Sequence, residues 1–116
     1  MEPNLITRSD LRTLLQAWQS GKTEAAQVHA WAETRYLNEA WEPEDDVANE
    51  ILAELDALDL NLLTAEDVPV LLAMLEHPEG EGETAAERFL QHCGQLDFQT
   101  RRRQLAADPL YAPYCE

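Results

Sequence analysis

The sequence predicts an all-α protein: a single helical domain over residues 1–116, a compact bundle or orthogonal array of five to six short helices. Three observations carry that expectation. Leucine, alanine and glutamate supply 18, 16 and 15 of the 116 residues, against thirteen valines, isoleucines and threonines together, a balance that favours helix over sheet. Apolar residues recur three and four apart along most of the chain, the period of a one-sided helix. Turn-forming residues then cut this pattern into segments of roughly 10–16 residues, the ordinary length of globular helices.

The elements follow in order. Ser9 or Thr7 caps a first helix whose face is Leu11, Leu14, Leu15 and Trp18, and Ser20-Gly21-Lys22 ends it, since glycine takes a left-handed cap without strain. Thr23 caps a second, with Ala25, Val28, Trp31 and Ala32 inward, fading near Asn38 before Trp41-Glu42-Pro43. A third begins at Glu44-Asp45-Asp46, acids that suit the positive end of a helix dipole, and turns Val47, Ile51, Leu55 and Leu58 to the core. Thr64 and Asp67 have capping-box spacing, but Pro69 disfavours helix at Val68. Either Asp67 is the true cap or the first turn is irregular, with Val68, Leu71, Leu72 and Leu75 inward. His77 to Gly82 is the clearest loop. Thr84 and Glu87 match a second capping box, for a helix carrying Ala86, Phe89, Leu90 and Cys93, and Gly94 breaks or bends it. A last helix covers about Asp97 to Ala107, and the aromatic tail Leu110 to Cys115 packs back onto the core.

The stretch Leu14 to Trp31, an apolar helix ending in Gly21-Lys22-Thr23 with a second helix starting at once, is similar to the immunity proteins of the colicin D and contact-dependent-inhibition type. That resemblance covers about the first third of the chain. It implies an acidic, all-helical bacterial protein that blocks the catalytic groove of a nuclease toxin, with no individual contact residue carried over. The remainder resembles a family of bacterial proteins without an assigned activity, through Asp56-Ala57-Leu58-Asp59-Leu60-Asn61-Leu62-Leu63-Thr64, Glu66-Asp67-Val68-Pro69 and Asp108-Pro109-Leu110-Tyr111.

Charge is the most informative feature. The net charge is −15, which argues against nucleic acid or an anionic membrane as partner. Residues 36–87 hold sixteen acids and no lysine or arginine, while the segments on either side are nearly neutral. Because apolar helix positions run through the same block, it reads as folded helix with an acidic outer face. Asp46, Glu50 and Glu54 are spaced i, i+4, i+8 on one face, an arrangement that costs a helix a few tenths of a kcal/mol per like-charged pair. Such a face is either solvated surface or a docking surface. Trp41 and Glu42 stand at its mouth, so Trp41, Glu42, Asp45, Asp46, Glu50 and Glu54 are the candidate partner-binding residues. Arg101-Arg102-Arg103 point about 100° apart on a helix and are expected to pair with the chain's own acids rather than with phosphate.

Other chemistry is thin. His29, His77, His92, Cys93 and Cys115 show no C-x-x-C, H-E-x-x-H or paired-His spacing, and the acid-rich segments lack the EF-hand pattern, so no metal and no cofactor is expected. Only Ser9 and Ser20 are serines, no nucleophile elbow occurs, and Cys93 sits where a small core residue belongs. The expectation is therefore a non-catalytic binding protein. No apolar run approaches the ~20 residues of a membrane span, and no basic flank precedes an apolar leader, so a cytoplasmic location with reduced thiols is expected. The expected partner is a basic protein, with the chain itself monomeric or homodimeric. The rival expectation is a structural or regulatory subunit that self-associates, motivated by the aromatic, proline-containing tail.

Overall fold

The computed structural model describes residues 2–115. It is 59% helical, with six α-helices and one short two-stranded sheet. The strands β1 (Asn4–Ile6) and β2 (Trp41–Pro43) pair in parallel, with Asn4 opposite Trp41 and Ile6 opposite Pro43. A parallel pair needs a long crossover, here supplied by α1 (Arg8–Gln19) and α2 (Ala25–Arg35). The helical fold class expected from the sequence is what the structure shows, with this short strand pair as an addition to it. Each strand is three residues long, too short for a period-2 signal, and each finds its partner 37 positions away.

Local chemistry explains the helix starts. Of the two candidate caps, Thr7 begins α1: its hydroxyl accepts from the Asp10 amide and its own amide donates to Asp10 Oδ2, both at 3.0 Å. Glu24, not Thr23, is the cap position of α2. Gln27 Oε1 accepts from the Glu24 amide at 3.0 Å and from the Thr23 hydroxyl at 2.8 Å. Leu37, with φ of +56°, turns the chain out of α2 toward β2. Asp45 caps α3 (Asp46–Asp56) through the Ala48 amide at 2.8 Å.

A 3-10 turn at Ala65–Asp67 absorbs the irregularity expected from Pro69, which sits in the first turn of α4 (Val68–Met74). Helix α5 (Gly82–Cys93) starts two residues before the expected Thr84 cap and ends at Gly94. Helix α6 (Phe98–Leu105) is capped by Asp97, and a closing 3-10 turn spans Ala112–Tyr114. Helices α4 and α6 are shorter than the spacing implied.

Helix α3 is the hub. It packs on α1, α2, α4 and α5, and Val47, Ala48, Ile51, Leu52 and Leu55 are sealed from solvent. Leu11, Leu15, Trp18, Val28, Ala32, Leu58, Leu63, Val68, Leu71, Leu75 and Phe89 complete one continuous core. At about 25 cal/mol per Å² of apolar area, each fully buried leucine supplies roughly 2 kcal/mol of driving force. Leu90 departs from expectation, standing 67% exposed, because α5 turns Ala85 and Phe89 inward instead.

Candidate functional site

The two acid-rich stretches around the start of α3 and the α4–α5 loop meet, and two residues bring them together. Arg8 is the first. Its amide donates to Glu44 Oε1 at 2.5 Å, its Nε to Asp45 Oδ2 at 2.8 Å, and its Nη1 to the carbonyls of Leu75 (2.8 Å) and His77 (2.5 Å). A cation thereby satisfies carbonyls that the end of α4 leaves without helical partners. Asp46 is the second. Its carboxylate accepts from Gly80 N at 2.8 Å and Gly82 N at 2.9 Å, the orphan donors at the start of α5, where negative charge is favoured. Those two amides hold its carboxyl below the usual carboxylate range. Gly82 leaves no room for a side chain, since a Cβ there would lie 2.9 Å from Asp46 Oδ2.

This join brings the β2–α3 junction, which carries exposed Glu42 and Glu44, to the loop and helix start that carry exposed Glu79 and Glu83. Glu76, 76% exposed, approaches Arg12 at 3.5 Å. The acidic region is thus assembled from segments more than thirty residues apart.

The expected α3 stripe fares differently, residue by residue. Asp45 is spent on Arg8 and on capping, and Asp46 on α5; both hold the fold together rather than stand free for a partner. Glu50 and Glu54 are only partly exposed. Burial, then a hydrogen bond that the protonated Glu54 carboxyl donates to Glu50 and the repulsion between the two carboxylates, lift Glu54 to about 7. The stripe runs along the seam with α5, from Gly82 at one end to the neighbourhood of Cys93 at the other, instead of along a free face. Of the candidate residues, Glu42 and Asp46 are exposed, and only Glu42 is free of hydrogen bonds to the rest of the fold through its carboxylate.

Trp41 is also committed. The Arg35 guanidinium lies between two indoles, 4.3 Å from the Trp31 ring centre and 4.4 Å from that of Trp41, and its Nη1 donates to the Trp31 carbonyl at 3.0 Å.

The remaining titratable groups are structural. Asp67 is completely buried. Arg101 meets it with two bonds, Nη1 to Oδ2 at 2.6 Å and Nη2 to Oδ1 at 3.0 Å. His92 Nε2 donates to Oδ1 at 2.7 Å and the Thr64 amide to Oδ2 at 2.8 Å. Burial pushes the Asp67 carboxyl up, but these donors outweigh it and hold it below its ordinary value. Arg101 also donates to the Leu62 carbonyl at 3.1 Å. The Tyr111 hydroxyl donates to Leu63, fastening the tail to the same turn, and burial raises its ionisation well above the ordinary range. Arg102 and Arg103 remain exposed.

His29 Nε2 donates to the Asp56 carbonyl at 3.0 Å and lies 3.4 Å from Asp59, while His77 Nδ1 is 3.0 Å from Glu81. Both cysteines are free. Among the described residues, no group of three or more His, Cys, Asp or Glu is arranged to hold a metal ion, and no helix is long and apolar enough to cross a membrane.

Comparison with protein-family models, curated proteins and solved structures returned no match. The function therefore rests on the chain's own chemistry. Sequence reading missed the 76–83 half of the acidic region and the Arg35 sandwich. The first had no local signal, because its register with α3 is set by backbone amides. The second had one: Trp31 and Arg35 are i and i+4 on a helix, with Trp41 shortly after.

Proposed function

We propose that this chain is a non-catalytic acidic binding protein of the immunity or inhibitor kind. It presents the free carboxylates of Glu42, Glu79 and Glu83, flanked by Glu44 and Glu76 that also reach Arg8 and Arg12, to a basic groove on a protein partner, for example a nuclease toxin whose phosphate substrate they would mimic. The observation that carries the reading is the gathering of two base-free, acid-rich segments through Arg8 and Asp46. Concentrated charge of one sign speeds encounter with an oppositely charged surface, and a few desolvated contacts then set residence time. This role needs no cofactor and operates in the cytoplasm.

Of the tail that motivates the self-associating alternative, Tyr111 is buried in the chain's own core, while Tyr114 stays 40% exposed.

The test is co-purification from the native host, followed by Glu42→Lys with Glu79→Lys. Both side chains are exposed and neither is among the side-chain hydrogen bonds or ion pairs of the described residues, although the Glu42 backbone belongs to β2, so the circular dichroism spectrum should be unchanged. Affinity for the captured basic partner should fall by roughly tenfold or more, mostly through slower association, with a weaker salt dependence. Unchanged affinity and salt dependence, or a stable homodimer at moderate salt with no basic partner, overturns the proposal.

A further inference from the structure

The acidic region leaves the Arg35 groove unexplained. Helices α1 and α2 diverge at their surface and leave a groove of about 470 Å³, lined by Leu14, Ala17, Trp31, Trp41, Asp10 and Arg35 among others. Both its size and its makeup, apolar and aromatic walls with a few polar groups, are those of sites that hold small organic molecules.

Arg35 gives the site its chemistry. Among the described residues no carboxylate comes within ion-pair distance of Arg35, although Asp10 lines the same groove, and unlike the exposed, unpaired Arg88, Arg102 and Arg103 it is half-buried. Its Nε is buried and has no hydrogen-bond partner. Only Nη1 is used, on the Trp31 carbonyl. Two indoles fix the plane of the guanidinium and strip water from its faces, which strengthens its pull on an anion and removes the entropy of positioning it. A half-buried cation whose Nε is sealed from water and unpaired, at the edge of an aromatic groove, has donors left for an anion.

We propose that this groove is a binding site for a small planar aromatic carboxylate. The carboxylate pairs with the Arg35 guanidinium, and the flat apolar body lies along Trp31, Trp41, Leu14 and Ala17. The site is independent of the acidic region and uses none of its residues.

The probe is naphthalene-2-carboxylate, with naphthalene-2-carboxamide as its uncharged match, titrated into the ¹⁵N-labelled full chain. The three tryptophans give three indole N–H signals. Those of Trp31 and Trp41 should shift and saturate with the carboxylate, while that of buried Trp18 should not. The carboxamide should bind roughly tenfold more weakly or worse, the size of one lost charge-assisted bond. Arg35→Gln should lose the same preference. Ala17→Trp, which fills the groove and keeps Arg35, should abolish binding whatever Arg35→Gln does to the fold.

Equal binding of carboxylate and carboxamide overturns the proposal, as does a shift confined to Trp18 or the absence of any shift. Trp31 and Trp41 signals that move with protein concentration alone would identify the occupant as a second copy of the chain and overturn it as well.

Discussion

Asp67 and Glu54 show two carboxyls pushed in opposite directions by their surroundings. Asp67 is enclosed but over-supplied with donors, so removing one partner leaves a buried charge. Arg101→Met should lower stability by about 3–5 kcal/mol in urea unfolding, and adding Asp67→Leu should recover much of that loss. Because the Asp67 carboxyl sits below its ordinary value, its contribution is complete above the usual carboxylate range and disappears as pH falls through its depressed value. Glu54 runs the other way. With its carboxyl near 7, its protonated form favours folding below the ordinary value, and that contribution is lost as pH rises through about 7. Glu54→Gln should therefore match the parent in melting temperature near pH 4 and exceed it at pH 8. Solvent reaches part of the pair, so the gain is discounted to about 1 kcal/mol, or roughly 4 °C. That Arg101 pairs inside the chain was legible from the acid excess. That it chooses Asp67 was not, because the two are 34 residues apart and only the packing of α6 on the Leu62–Asp67 turn brings them together.

Among the elements, α3 was the most legible and the strands were the least. Val47, Ile51, Leu55 and Leu58 repeat with helical period, and all are fully buried, since a long-lived period fixes a face whatever the neighbours are. The start of α5 was misread because Thr84 and Glu87 imitate a cap, while the true one, Asp46, is donated from another helix. Asp46→Ala should accordingly leave α3 intact, where Asp45 is the cap, and speed hydrogen exchange at Gly80 and Gly82 severalfold over that at Leu52. Thr7→Ala removes half of a local capping box and should cost about 1 kcal/mol in thermal unfolding, with no change in the exchange of those glycines.

Across the whole molecule, charge opposes compaction. Most exposed acids of the 36–87 block have no basic neighbour, so added salt should raise the melting temperature of the free chain from low to moderate ionic strength by screening that repulsion. Composition made this repulsion plain, whereas the meeting of the two acid-rich stretches depends on Arg8 and Asp46 and was hidden until the loop and helix were seen side by side. The enclosure of Asp67 has a further consequence for how the chain comes apart. Its donors arrive from α5, from α6 and from the turn before α4, so α6 has no way to fray early without stranding an anion in a dry interior. Partly unzipped states are thereby made rare, and melting curves followed by backbone dichroism and by tryptophan emission should superimpose as a single all-or-none transition.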